Sequence, residues 1–170
     1  LAFIRRSLET DPHMEVSVAV QQDEETFYTG ISVADQLQRR DVVILLDPDG
    51  KLMEGWEGET IAENVLAGAG LLFIGGPKAF DDWNSQTAIA QALPLYIETD
   101  GKALTARDVS LQSSQEGKRH PIVRLLVGGV DPWAALPPLP GYVAAARKRP
   151  GAMSLVESGD AARGPLIAVH

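Results

Sequence analysis

Two strand-like segments of this sequence end in residues that could take part in chemistry, and the first is residues 70–80, GLLFIGGPKAF. Its apolar run leads directly into Gly75, Gly76 and Pro77. In an open α/β sheet, ligands bind beyond the carboxyl ends of the parallel strands. Glycines at such a place would let a ligand approach the backbone, or would present N–H groups as an oxyanion hole. A tight turn is the simpler interpretation, and neither glycine can act as a nucleophile.

The second segment is LLDPDGKLMEG, in which Asp47 and Asp49 follow another apolar run. Carboxylates at a strand end could bind a hard cation or serve as a general acid or base. When Gly50 is aligned with the glycine of a calcium-binding EF-hand loop, Leu45 and Trp56 fall at ligand positions. Neither side chain can ligate calcium, so this type of site is excluded. A solvated Asp-Pro-Asp-Gly turn is the simpler interpretation.

Two more polar residues belong to the same predicted pocket. Asp82 would lie on its rim beside the glycine turn, although an aspartate there also suits the cap of a following helix. His120 precedes Pro121 and is explained as simply by a loop or packing role. The predicted small-molecule pocket therefore consists of Gly75, Gly76, Asp47, Asp82 and His120.

No metal site and no cofactor are predicted. The histidines are His13, His120 and His170, and their spacing is not that of metal ligands. The phosphate and nucleophile signatures G-x-G-x-x-G, G-x-x-x-x-G-K-[ST] and G-x-S-x-G are also absent, because Phe73 stands where the first of these needs its third glycine.

The composition narrows the function classes further. The 170 residues carry a net charge of −8, which argues against binding to nucleic acid or to an anionic membrane surface. The absence of cysteine excludes disulfides, thiolate metal sites and cysteine nucleophiles. Since no apolar run reaches the roughly 18 residues that span a bilayer, this segment should not insert into a membrane. The basic cluster ARKRP at 146–150 would either meet an acidic partner or form a solvated face.

The hydrophobic pattern predicts an α/β fold with a mainly parallel sheet and a more irregular, β-rich second half. Strands with crossover helices between them account for the first half. The predicted helices are 1–10, one that Ser32 begins, one containing 61–66, and 84–93; the predicted strands are 16–20, 41–46 and 71–74. The strands at 41–46 and 71–74 are expected to be buried on both faces.

We predict one domain over 1–170. Because the chain starts without Met in a helical pattern and stops in a strand pattern, we expect it to be an excerpt of a longer polypeptide. The Pro-rich segment 131–142 is expected to form a lid, in which Trp133, Leu136 and Tyr142 pack on the core.

Several motifs, taken in order, resemble a known family. They are FIRRSLETDP, RRDVVILLD, AGAGLLFIGGPKAF, HPIVRL, WAALPPLPGY, RPGAMSLVES and GPLIAV, and they cover most of the chain. The sequence is similar to the bacterial glutamine amidotransferase-like domains, relatives of the class I amidotransferases often found in large membrane proteins beside von Willebrand factor A-like regions. The resemblance implies a flavodoxin-like, doubly wound sheet with further strands before and after this segment.

The resemblance also implies that the glycine turn stands where class I amidotransferases carry their nucleophilic cysteine. Glutamine hydrolysis needs a thiolate activated by histidine, and this sequence has Gly75 and Gly76 at that place. It therefore implies a non-catalytic binding or assembly module within a membrane-associated parent protein. Its partners would be a protein, other domains of the parent chain or a small-molecule ligand, and its side of the membrane is left open.

Two other functions stay open on the sequence. One is an enzyme, such as a hydrolase, that uses Asp47, Asp49, Asp82 or His120 instead of a cysteine. The other is a sugar-binding domain of the trehalose-utilisation type, which shares the fold.

Overall fold

The structure of the chain is a computed structural model, and it describes residues 2–21, 27, 28, 37, 40–81, 83–98, 104–124, 131–143, 146–159 and 164–170. Helices and strands are mixed in these residues, so the protein is α/β, and its sheets are small. Contacts divide the chain into unit 1, residues 1–79 with 87–92, and unit 2, residues 80–86 with 93–170. The single domain expected over 1–170 stays a prediction.

Unit 1 contains most of the α-helical structure and one parallel pair of strands. In chain order the elements are α1 (Ala2–Glu9), β1 (Val20–Gln21), β2 (Phe27–Tyr28), β3 (Val42–Leu46), α2 (Gly50–Glu54), α3 (Trp56–Leu66), β4 (Gly70–Ile74), α4 (Pro77–Asp81, which continues into unit 2) and α5 (Ala88–Ala92). β3 and β4 pair in parallel, with Val42 opposite Gly70 and Leu46 opposite Ile74. This confirms the expected strand–helix–strand arrangement.

The expectation that β3 and β4 are buried on both faces is wrong. On one face Val43 and Leu45 are buried. On the other face, by the register of the pair, Val42 is 58% exposed and Leu72 is 47% exposed. A continuous apolar run is compatible with a strand that is buried on both faces, but it also occurs in a strand with one exposed face.

Two other boundaries differ from the sequence prediction. Residues 16–19 form no strand, and only Val20–Gln21 pair, with Phe27–Tyr28. The helix expected over 84–93 is the shorter α5, because the side chain of Thr87 accepts the N–H of Ala90 at 3.2 Å and so begins the helix late. The helix that Ser32 was expected to begin lies outside the described residues, apart from 37 and 40.

Unit 2 is built mainly from antiparallel strands. Its elements are β5 (Leu95–Ile97), β6 (Leu104–Thr105), β7 (Leu111–Ser113), a 3-10 helix (Gly117–Arg119), β8 (Tyr142–Val143), β9 (Ala146–Lys148), β10 (Met153–Ser158) and β11 (Pro165–Val169). The largest sheet has the order β11-β10-β7, and β5 pairs with β9 and β6 with β8. The more β-rich second half is thus confirmed.

The core of unit 2 lies on the β11-β10-β7 sheet. Its buried members are Leu111, Val123, Leu155 and Val156, and Trp133 packs against them. Trp133 also donates its indole N–H to the carbonyl of Val123 at 2.9 Å. Packing of the Pro-rich segment on the core is therefore confirmed at this tryptophan.

Elsewhere along the Pro-rich segment, fewer side chains pack on the core than expected. Tyr142 is buried, as predicted, but Leu136 is 50% exposed, so its expected place in a packed lid is wrong. The residues around Leu136 are exposed from 134 to 140, and the segment is anchored at its ends instead of along its length.

Candidate functional site

The best-defined part of the predicted pocket is Asp47, immediately after β3. Its φ angle is 45°, in the left-handed region that aspartate enters more readily than most residues. Its backbone N–H donates to the carbonyl of Ile74 at 2.8 Å. This bond extends the parallel ladder by one residue and holds the turn after β3 next to the turn after β4.

The carboxylate of Asp47 lies against the glycine turn. Its Oδ1 accepts the N–H of Ala79 at 2.8 Å, within the short helix that follows the glycines. A Cβ on Gly76 would lie 2.6 Å from the carboxylate carbon of Asp47 and 2.7 and 2.8 Å from its oxygens. An alanine at 76 would therefore have to displace the Asp47 side chain, whose carboxylate fills the space beside the glycine.

Asp49 has a structural explanation. It is the N-cap of α2, and its Oδ1 accepts the N–H of Leu52 at 2.9 Å. The segment is also less solvated than expected, since Pro48 is buried and Gly50 already belongs to a helix. The interpretation of this stretch as a solvated turn is therefore wrong, and helix capping replaces it.

His120 organises a turn in unit 2. Its backbone N–H donates to the carbonyl of Gly117 at 3.1 Å, and its own carbonyl accepts the N–H groups of Val123 and Arg124 at 3.2 and 3.0 Å. Its Nδ1 accepts the N–H of Ile122 at 3.4 Å, a long bond. These contacts agree with the loop role considered for His120.

The structure brings only part of the predicted pocket together. Asp47 and Gly76 are in contact, and Gly75 is the adjacent, exposed residue of the same turn. Asp82 lies outside the described residues, and His120 belongs to the other unit. A ligand pocket made by the five residues stays a prediction.

A concavity lies at the opposite edge of the β3–β4 pair, where the strands begin. It has a volume of about 350 Å³ and is lined by Arg40, Asp41, Asn64, Ala67, Gly68 and Ala69. Asn64 donates its amide to the carbonyl of Leu37 at 2.8 Å, and Gly68 has a φ of 109° that favours glycine. The glycines of the AGAG run at 67–70 are the sequence signal for this turn, and a Cβ on Gly68 would meet open space.

An aspartate that the sequence did not single out accepts several hydrogen bonds in the described part of unit 2. Asp131 accepts both the N–H and the hydroxyl of Ser113 at 2.9 Å, and the N–H of Trp133 at 3.1 Å. Burial alone would raise the pKa of Asp131, but these hydrogen bonds and one from the N–H of Ala134 outweigh it and hold that pKa below its ordinary value. The arrangement ties the Pro-rich segment to β7, which is a structural role.

Other site types find little support in the part of the chain that the structure describes. No group of three or more His, Asp or Glu side chains there is placed to hold a metal ion. No helix among the described residues is long and apolar enough to cross a membrane. Comparison of the chain with protein-family models, with curated proteins and with solved structures finds no match.

Proposed function

We propose that this chain is a non-catalytic glutamine amidotransferase-like module that serves binding or assembly in a larger, membrane-associated bacterial protein. The proposal is supported by the ordered motifs that resemble that family and by the absence of cysteine from the sequence. A glycine turn takes the place where the resemblance expects the nucleophile.

The observation that carries the proposal is the position of the Asp47 carboxylate. Glutamine hydrolysis would develop a negative oxygen near the turn, and such an oxygen needs free N–H donors. Here a carboxylate fills the space beside Gly76 and already accepts the Ala79 N–H. A second negative charge would be repelled, so the turn is suited to holding the fold together and unsuited to glutaminase chemistry.

The proposal includes a flavodoxin-like, doubly wound sheet. Its support is the parallel β3–β4 pair, joined through α2 and α3 in the manner of a crossover connection. The exposed apolar face that carries Val42 and Leu72 agrees with a sheet whose second layer of helices is completed by further parts of the fold.

The decisive experiment is affinity purification of the parent protein, intact or with residues 1–170 replaced by an unrelated domain of similar size. A stoichiometric partner, identified by mass spectrometry, should be lost with the replacement and retained in a control parent with Arg119→Gln, a change at an exposed residue outside the predicted pocket. If the partners are unchanged, this segment is not the assembly module.

A second measurement separates the module from the enzyme alternative. Purified chain should release no ammonia from glutamine, and Asp47→Asn and His120→Ala variants should behave the same. A hydrolytic activity found across ester, amide and glycoside substrates, and abolished by either substitution in a folded variant, would overturn the non-catalytic assignment. Calorimetric binding of a carbohydrate would favour the sugar-binding alternative instead.

A further inference from the structure

One strand of this acidic protein carries three consecutive basic residues. β9 and the residue after it contain Arg147, Lys148 and Arg149, whereas the whole chain has a net charge of −8. β9 pairs antiparallel with β5, and the register sets Arg147 opposite Tyr96. Because side chains alternate along a strand, Arg149 lies on the same face as Arg147. We name Tyr96, Arg147 and Arg149 the arginine–tyrosine surface.

Both guanidinium groups are positioned over the tyrosine ring. The Cζ of Arg149 lies 4.1 Å from the centroid of the Tyr96 ring, and the Cζ of Arg147 lies 5.8 Å from it. Stacking on an aromatic face orients a planar guanidinium, so less side-chain freedom is lost when that group binds an anion. The surface is thus prepared for planar, bidentate recognition.

The backbone under Arg149 is also fixed. Its N–H donates to the carbonyl of Pro94 at 3.0 Å, and its carbonyl accepts the N–H of Ala152 at 3.1 Å. Tyr96 nevertheless remains 39% exposed, and the side chain of Arg147 is 66% exposed. A rigid strand pair therefore presents an accessible aromatic ring with cations beside it.

The surface already holds one carboxylate. Arg147 forms an ion pair with Glu98, whose side chain is 65% exposed. An ion pair between two such exposed groups is weak, because water and salt screen it. A partner carboxylate can replace Glu98 at little cost, and the existing pair shows which chemical group the surface accepts.

We propose that the arginine–tyrosine surface docks an acidic segment of a protein partner, through a carboxylate on Arg147 and an apolar side chain against the exposed part of Tyr96. This inference rests on the proposed assembly function and names its partner class. A nucleic acid fits less well, since the net charge of −8 repels a long polyanion and Glu98 stands within the surface.

The test is fluorescence anisotropy of a labelled oligoglutamate peptide containing one phenylalanine, titrated with the 170-residue chain. Binding should be saturable and should weaken as salt is added. Arg147→Gln should weaken it about tenfold, the usual effect of losing a charge-assisted hydrogen bond. Glu98→Gln, which removes the competing carboxylate, should strengthen binding and keeps the test valid if Arg147→Gln does not fold.

The matched control is Arg119→Gln, which removes the same charge from an exposed arginine on the 3-10 helix. An equal loss of peptide affinity in this control would mean that general charge, and not this surface, binds the peptide, and the inference would fail. Preferential binding of a single-stranded oligonucleotide of equal charge, or no peptide binding at all, would also overturn it. If the parent protein with Arg147→Gln still captures its partner, the assembly function stands and only the assigned surface is wrong.

Discussion

The two units bury their sheets in different ways. In unit 1, alternate residues of β4 are exposed, and Leu72 and Ile74 are 47% and 40% exposed. In unit 2, Ser154, Leu155 and Val156 of the central strand β10 are buried one after another, at a place where the register with β11 shifts. A parallel pair with one open face thus contrasts with an antiparallel sheet whose central strand is buried over three consecutive residues.

This difference shows that an apolar run alone does not reveal how deeply a strand is buried. GLLFI is entirely apolar and is half-exposed, whereas MSLVES contains two serines that are almost completely buried. The hydroxyl of Ser158 accepts the N–H of Gly164 at 3.2 Å, and the backbone carbonyl of Ser154 accepts the hydroxyl of Ser114. Burial therefore follows from what packs on a strand, and polar residues can lie within a core when the local bonding provides for them.

The first prediction concerns the free energy of unfolding, and it compares the truncation of one leucine in each sheet. It has the largest expected effect. Leu155→Ala should lower the free energy of unfolding by about 2–5 kcal/mol, because it leaves a cavity in the core. Leu72→Ala should cost about 1 kcal/mol or less, since part of the side chain already contacts water. Urea unfolding, followed by circular dichroism and tryptophan fluorescence, measures both. Equal costs would mean that the face bearing Leu72 is covered after all.

The second prediction compares a glycine of unit 1 that faces a side chain with a glycine of unit 2 that faces the backbone. A Cβ at Gly117 would overlap the backbone carbonyl of Leu155, whereas a Cβ at Gly76 would meet the Asp47 side chain. Gly117→Ala should therefore cost about 3 kcal/mol, and Gly76→Ala about 1–2 kcal/mol, because a side chain yields more easily than a backbone.

The same unfolding measurement includes a double-mutant cycle. In a chain that already carries Asp47→Gly, the cost of Gly76→Ala should nearly vanish, because the colliding carboxylate is gone. A cost that persists unchanged would show that the Asp47 contact is not the reason for glycine at 76.

The third prediction concerns the buried serines of unit 2. Ser114 donates its hydroxyl to the carbonyl of Ser154 at 2.5 Å and accepts the N–H of Gly117 at 2.9 Å. The hydroxyl of Ser154 has no hydrogen-bond partner among the described residues. Ser114→Ala should therefore cost about 1–2 kcal/mol, while Ser154→Ala should be neutral or slightly stabilising. A substantial loss with Ser154→Ala would reveal a partner for that hydroxyl.

The smallest predicted effect is a pH dependence that distinguishes an aspartate of each unit. Hydrogen bonds lower the pKa of both Asp131 and Asp11, the latter mainly through the N–H of His13. Because the folded pKa is below the unfolded one, each contributes stability above an ordinary pKa of about 4, and loses it as pH falls through the folded pKa. The difference in urea midpoint between wild type and Asp131→Asn should therefore shrink below about pH 4.

Asp11→Asn supplies the control for this pH series. Asp11 and His13 are both exposed, so their interaction is screened, and the wild-type and variant midpoints should coincide across the series. A larger pH effect at Asp11 than at Asp131 would contradict the expectation that the hydrogen bonds of the less exposed carboxylate contribute more to the free energy of unfolding.

The elements that the sequence predicted well are those with local signals. β3 and β4 are short apolar segments bounded by turn residues, and α1 shows a helical spacing of apolar residues before Asp11-Pro12. These patterns depend on neighbouring residues only. Residues 16–19 have a similar pattern without forming a strand, because pairing also requires a partner strand in register.

The site was less predictable because its contacts join distant residues. The bond from Ala79 to Asp47 spans 32 positions, and the bonds from Ser113 to Asp131 span 18. No local sequence pattern indicates that a side chain will accept a hydrogen bond from a particular backbone N–H so far along the chain. The sequence could place Asp47 and Gly76 at neighbouring strand ends, but it could not show that one fills the space beside the other.

The shared strand β10 also suggests the order in which unit 2 folds. Its partner β11 follows it closely in sequence, whereas β7 is separated from it by a long connection that includes the Pro-rich segment. Closing a short connection costs less chain entropy and takes only microseconds. The β10–β11 hairpin should therefore form first, with β7 docking afterwards, and hydrogen exchange should find the pairing of β7 to be the earlier of the two to open.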